Sequence, residues 1–363
     1  MGLFQRSGNT GTNQTKSNGV VKFGLKPAMG LTLGDSQGPL DQLHAIIDFA
    51  KAARDVGFHS IWVGQHYFGG DRIRWEAIPT LARLIPEIEG SIVGTCILLL
   101  PLHHPVLVAE QVAILDILSG GRFIFGVGLG YRQREFDGFG VPKRGRASRF
   151  EEALSIIRDL WTTDNVRFTG KHFKIDNMMT GTRPLQKPAP PIWIAAHGDN
   201  AVKRAARLGD SLMMNPHASL DTLERQLAVY RDALEKESKP FPKELSIRKD
   251  IYIARNRRAA WDEAEEEVPR LVRGLTAEGQ DRELPESDGF GLREELKDFI
   301  RSRYIVGDPD DCIEQIQAHR DRLRLNHFIF RLGCPGGNRK AIMEKIELIG
   351  RDVISHFEKE DQP

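Results

Sequence analysis

Cysteine is scarce in this 363-residue chain: Cys96, Cys312 and Cys334 are far apart and form no Cys-x-x-Cys pair. That argues against a disulfide framework or a zinc knuckle, and for reduced thiols in a cytoplasmic protein. Long apolar runs are missing too, and none approaches the roughly 18 residues of a membrane span. Neither sign of charge prevails, with 51 Lys and Arg against 50 Asp and Glu, net +1. No basic field is therefore available to recruit nucleic acid or an anionic membrane. Residues 1–19 have no apolar stretch and are rich in Gly, Asn, Ser and Thr, so they read as a disordered leader and not a signal peptide. This leaves 20–363 as one domain. Its size and 40% hydrophobic content suffice for a large core.

Short apolar runs rich in branched residues mark strand candidates at 21–26, 60–64, 91–99, 122–127, 191–196, 211–215, 245–254 and 327–332. Helical periodicity fills the spaces, at 40–56, 76–89, 105–118, 147–161, 200–208, 220–236, 258–273 and 339–354. Strand and helix alternate throughout, which predicts a parallel sheet covered by helices. Eight such units predict closure into an α/β, TIM-like (β/α)8 barrel, with an open doubly wound sheet as the alternative. Segments 132–146, 162–190 and 275–303 interrupt the pattern with turn formers and charges. Connections this long are typically binding loops, lids or disordered segments.

In such a barrel, chemistry sits where strands run out into loops. His66 stands there, in Gln65-His66-Tyr67 after the second strand, where an imidazole titrating near neutrality can move a proton. Rim packing is its plain structural reading. Gly126-Val127-Gly128-Leu129-Gly130 ends the fourth strand, but it lacks the spacing of a dinucleotide fingerprint. Its missing side chains would let backbone approach a cofactor. His197-Gly198-Asp199-Asn200 opens the helix after the fifth strand. Unpaired N–H groups there suit a phosphate, and Asp199 or Asn200 alternatively caps the helix. Met29, Tyr67, Trp75, His103 and Arg331 lie at or beyond strand ends as candidate substrate neighbours. His66, His103, His104, His197 and His217 also lie near strand ends, as in a metal-dependent hydrolase. The first strand offers no His-x-His pair, so no metal is expected.

From Pro101 to Gly140 the sequence reads PLHHPVLVAEQVAILDILSGGRFIFGVGLGYRQREFDGFG. Together with Pro191-Ile192-Trp193-Ile194-Ala195-Ala196-His197-Gly198, Ile305-Val306-Gly307-Asp308-Pro309 and His327-Phe328-Ile329-Phe330-Arg331, it resembles the bacterial luciferase-like family of flavin-dependent oxidoreductases. The resemblance runs through nearly all of 21–354. It implies a barrel binding FMN, or alternatively a deazaflavin, at the strand C-terminal ends, in a homodimer or homotetramer. It implies that His66 is catalytic, matching the first histidine of a luciferase Glu-His-His run, although Gln65 and Tyr67 differ from that run. It places a non-prolyl cis peptide at Cys96-Ile97, beneath the flavin ring. Gly128, Gly130, Tyr131, His197, Gly198, Asp199 and Asn200 complete the expected cofactor set. Leu129 stands where luciferase has a phosphate-contacting arginine, and Arg132 and Arg134 are candidate substitutes.

The implied activity is a monooxygenase: reduced FMN from an NAD(P)H:flavin reductase, O2 and a small organic substrate. Hydride transfer with a deazaflavin is the alternative, and a flavin-binding protein without catalysis is a further one.

Overall fold

The computed structural model describes residues 20–27, 38–69, 73–283, 295–333 and 338–360. Eight parallel strands close on themselves: β1 (Lys22–Leu25), β2 (Ser60–Val63), β3 (Ile92–Thr95), β4 (Phe123–Gly128), β5 (Ile192–Ala195), β6 (Ser211–Met214), β7 (Ser246–Ile253) and β8 (His327–Leu332). Each pairs with its neighbour in chain order, and β8 pairs back onto β1 with Leu25 opposite Phe330. All eight expected strands thus form the wall of a TIM barrel.

The two-residue period of a strand explains how the sequence fills both sides of that wall. Phe23, Leu25, Ile61 and Val63 face outward into the helix-covered core. Ile124, Trp193, Met213 and Ile329 face inward around Trp62. Trp62 and Trp193 stack with ring centroids 5.4 Å apart. Trp62 fits because Gly24 and Gly94 flank it. A Cβ on Gly94 would lie 2.3 Å from the indole, and one on Gly24 2.6 Å from its nitrogen.

Below the tryptophans the barrel is plugged by a polar chain. Trp62 Nε1 donates to Ser60 Oγ at 2.7 Å, Ser60 Oγ lies 2.8 Å from His327 Nε2, and His327 Nδ1 lies 3.2 Å from Glu244. Lys22 pairs with the same carboxylate. Ser60 receives the indole N–H, so its own proton goes to Nε2. His327 therefore carries its proton on Nδ1 and donates to Glu244. Buried polar groups are satisfied in series here, as a closed interior requires.

The interrupting segments hold more structure than the sequence suggests. Segment 132–146 contains the helix Gln133–Gly138, and 162–190 contains the hairpin Val166–Thr169 and Lys174–Met178. After β7 come the helices Arg257–Ala277 and Leu296–Arg303, a short strand Ile305–Gly307 parallel to β7, and the helix Pro309–Leu323. The expected leader at 1–19, Met29 and Cys334 lie outside the described residues. Among the described residues no helix is long and apolar enough to cross a membrane.

Candidate active site

A cavity of about 1090 Å³ opens at the C-terminal ends of the strands. It slightly exceeds the roughly 300–1,000 Å³ of ordinary small-molecule pockets, which leaves room for a cofactor and a second molecule. The inward set of each strand continues into it. Lys26 follows β1, Gly64 and His66 follow β2, Cys96 follows β3, and Arg331 lies on β8; all of them line the space.

His66 is anchored from behind. Its Nδ1 lies 3.0 Å from Glu135 Oε1, which also accepts the Tyr67 N–H at 2.9 Å. Glu135 is fully buried, and Arg132 stands 3.7 Å from the same oxygen. Burial raises the cost of that charge, but the bonds from His66 and Tyr67 and the nearby arginine outweigh it and hold the carboxyl below its ordinary value. Burial pushes the His66 imidazole below 6.5, opposed by Glu135. At neutral pH the pair is thus a neutral imidazole and a carboxylate. A carboxylate only accepts, so Nδ1 carries the proton and Nε2 is the basic nitrogen.

Gln65 lines the cavity too, with its side-chain amide engaged by protein. Its amide oxygen accepts from Leu99 N–H at 2.9 Å and lies 3.0 Å from His103 Nε2, and its amide nitrogen donates to Glu76. Glu76 in turn caps the helix Ala77–Leu84 through the Ile78 N–H. The residue therefore ties β2 to β3 and to the following helix.

The Cys96-Ile97 peptide is cis, and both residues line the cavity. Gly128 and Gly130 line it as well, and the glycine run also packs tightly against protein. A Cβ on Gly126 would lie 1.8 Å from the Thr95 carbonyl, and one on Gly128 2.1 Å from the Ile97 side chain. The run lets β4 lie close against the end of β3.

The helix Asp199–Leu208 points its N-terminus at the cavity, with Gly198 in extended conformation and no side-chain cap. Neither Asp199 nor Asn200 caps it. Arg225 binds the Asp199 carboxylate in a two-pronged pair at 2.8 and 2.9 Å, which removes its repulsion toward an anion. Gln226 donates to the His197 carbonyl at 2.6 Å and fixes the approach to the helix. A Cβ on Gly198 would meet nothing within 4 Å, so the space before the helix is open. The first N–H groups of a helix have no partner within it, and this is the donor set a phosphate needs.

The luciferase-like monooxygenase model matches residues 21–326. The chain belongs to the luciferase-like monooxygenase family. Among curated relatives, a deazaflavin (F420)-dependent glucose-6-phosphate dehydrogenase of Amycolatopsis mediterranei is 29% identical over 89% of this chain and 96% of its own length. The oxygenase component of a flavin-dependent trigonelline monooxygenase of Acinetobacter baylyi is 23% identical over 86% of this chain and 90% of its own. Among solved structures, the monooxygenase RslO1 of Streptomyces bottropensis superposes with a TM-score of 0.77 at 22% identity, over 93% of this chain and 99% of its own, which speaks for the fold.

The luciferase-like barrel gathers some of the expected site residues and not others. His66, Cys96, Ile97, Gly128, Gly130, Tyr131, His197, Gly198, Asp199, Asn200, Trp75 and Arg331 share the cavity. Tyr67 and His103 do not line it. Their rings pack on Phe139, at 4.6 and 6.0 Å between centroids, and His103 Nε2 is held by Gln65 and Tyr67. Arg132 and Arg134 both pair with Glu278 at the C-terminal end of the helix Arg257–Ala277, and Arg132 also lines the cavity. Among the described residues no group of three or more His, Cys, Asp or Glu is placed to hold a metal ion.

Sequence reasoning missed Glu135, Lys26 and Arg248. In the acidic run 262–267, Glu263 pairs with Lys345 and Glu267 lines the cavity.

Proposed function

We propose that this protein is a flavin-dependent monooxygenase, taking reduced FMN from a separate NAD(P)H:flavin reductase and using O2 to oxidise a small organic substrate. The observation that carries the reading is a histidine, anchored by a buried carboxylate, on the same cavity as the Cys96-Ile97 cis peptide and the open helix end at Gly198. The residues fit the cofactor: the Asp199–Leu208 N-terminus would hold its phosphate, and Cys96 and Ile97 would support the ring system. When bound, reduced flavin supplies the electron transfer to oxygen that side chains cannot.

The chain's own contribution is positional and protonic. His66 Nε2 accepts or returns one proton at the reacting centre, and Glu135 steadies the imidazolium meanwhile. The helix Arg257–Ala277 closes the outer wall with Leu271 and Leu275, restricting water.

A second reading, hydride transfer with a deazaflavin, is favoured by the identity to the Amycolatopsis dehydrogenase, which is higher than that to the Acinetobacter oxygenase. Anaerobic titration with reduced FMN and with a reduced deazaflavin separates the two. Tight FMN binding with rapid oxygen consumption after air is admitted supports the monooxygenase. Preference for the deazaflavin, with no reaction toward oxygen, replaces it by the second reading, and binding of neither removes both.

A cytoplasmic, homo-oligomeric enzyme belongs to the same proposal. The exposed apolar side chains of Leu107, Ile114, Ile117 and Leu118 on one helix support self-association.

A further inference from the structure

The cavity is charged unevenly. On the side formed by β7, β8 and β1, three cations face it with one carboxylate between them. Asp250 and Arg331 are register partners on β7 and β8, and Arg248 is the preceding inward residue of β7. Lys26 continues β1 beyond Leu25, its N–H donating to the Phe330 carbonyl at 2.8 Å, which sets it level with Arg331. Adjacent strands are about 4.8 Å apart, so these side chains form one cluster.

Asp250 is nearly fully buried and already shared. It accepts from Arg248 Nη1 at 2.6 Å and from Arg331 Nε at 2.5 Å. Arg248 also reaches His217 Nε2 at 3.2 Å. Among the described residues Asp250 is the only hydrogen-bond or ion-pair partner of Arg331, and it meets the guanidinium at Nε. The Lys26 amine makes no hydrogen bond or ion pair among the described residues. It lies over Gly64, where a Cβ would meet its Nζ at 3.2 Å and the Cys96 carbonyl at 2.6 Å. The amine thus sits beside the cis peptide, at the junction between the cationic side and the expected place of the flavin ring.

We propose that Lys26, Arg248 and Arg331 form an anion-recognition site for the substrate, which therefore carries a carboxylate, sulfonate or phosphate group. This rests on the flavin reading in one respect: a cofactor lying from Cys96 to the helix end at Gly198 leaves the β7–β8–β1 side for substrate. The physical argument is charge balance. Among the described residues on this side, three cations against one carboxylate leave a surplus of two in a recessed site, and concentrated uncompensated charge is costly away from water. An oxyanion meets it, with the Arg331 fork offering two parallel donors and Lys26 a point charge. Burial lowers the Lys26 amine to about 8, with Arg248 and Arg331 adding to the shift and Cys96 and Asp250 opposing it. His66 also faces Lys26 and is neutral. Anion affinity accordingly falls as pH rises through about 8.

The test is calorimetric titration of the full chain with benzoate, benzenesulfonate and phenyl phosphate against uncharged benzamide, with and without FMN. FMN affinity is measured separately. The expected result is at least tenfold preference for one of the anions over benzamide, falling toward parity in Lys26→Met and restored in Lys26→Arg, with FMN affinity unchanged in both. Parity in the wild type overturns the proposal while leaving the flavin reading intact if FMN binds. Equal loss of FMN and anion binding in Lys26→Met also overturns it, because the cations then hold the cofactor. Failure of the wild type to bind either FMN or the deazaflavin removes the flavin reading, and anion preference without cofactor still decides this one.

Discussion

At the scale of the residue, the His66–Glu135 contact makes two distinguishable predictions. Replacing His66 by Asn removes the basic nitrogen and is expected to lower kcat by about 10²–10⁴-fold with FMN affinity unchanged, as measured by titration and steady-state turnover. Turnover at the wild-type rate would end its assignment. Glu135→Gln keeps an oxygen for the Tyr67 and His66 N–H groups but loses the charge that favours imidazolium. Its acid limb in a pH–rate profile moves further below 6.5, because a neighbouring carboxylate raises a histidine and its removal lowers it. A merely structural Glu135 would leave that limb in place. His66 was legible because a polar residue ending a strand stands out. Glu135 was not, since its partner lies 69 residues away and a short helix in a charged segment conceals it. Lys26 carried a weak signal: a lysine ends the first strand at the side where chemistry is expected, just before Pro27.

At the scale of the element, the helix Pro105–Leu118 is apolar on more faces than the barrel covers. Val108, Ala109, Val112 and Leu115 are buried against the core, yet Leu107, Ile114, Ile117 and Leu118 are exposed. A helix hydrophobic all round is ordinarily buried all round, and the proposed homo-oligomer would cover this face with a second copy of the chain. Paired Leu107→Glu and Leu118→Glu substitutions are expected to shift the elution volume in size-exclusion chromatography to that of a 40.9 kDa monomer. Wild-type protein eluting as a monomer would remove the argument.

Element boundaries were read well where apolar period and length agreed, as in seven of the eight barrel strands; the third, expected over 91–99, ends at Thr95 before the cis Cys96-Ile97 peptide and resumes only as the short strand Leu98–Leu99. The helix Pro309–Leu323 was hidden because its buried face includes His319 and Arg320 beside Cys312, Ile316 and Leu323. Polar residues in buried positions erase the periodicity on which such a reading depends. The glycine run of β4 was noticed, but its part in packing β4 against the end of β3 was not, since its closest neighbours are strands that only the closed barrel brings together.

At the scale of the whole molecule, the barrel floor makes stability depend on pH. His59 accepts the Phe23 N–H on Nδ1 at 3.3 Å, and burial depresses both His59 and His327 below 6.5. Below that value the unfolded chain takes up protons that the folded chain refuses. Their contribution is complete above 6.5 and declines as pH falls. For Glu244, burial favours the neutral form, but hydrogen bonds from His327 and Lys22 prevail and bring the carboxyl down to about 2. It adds a second loss, starting near its unfolded value of 4.5 and complete toward 2. Thermal unfolding between pH 8 and 3, in order-of-magnitude steps of proton activity, is expected to show Tm constant at the alkaline end and falling in two stages below about 6.5. A Tm rising on acidification would contradict the neutral assignment of His327.

The tryptophan pair between that floor and the cavity has an optical consequence. Trp62 and Trp193 lie 5.4 Å apart and are sealed from solvent, so their emission is blue-shifted and falls where oxidised flavins absorb. A ring system seated above them would collect that excitation by radiationless energy transfer, dimming the ultraviolet emission as the cavity fills. The barrel therefore carries its own antenna, by which loading could be followed in the unmodified chain without a substrate, a label or a turnover.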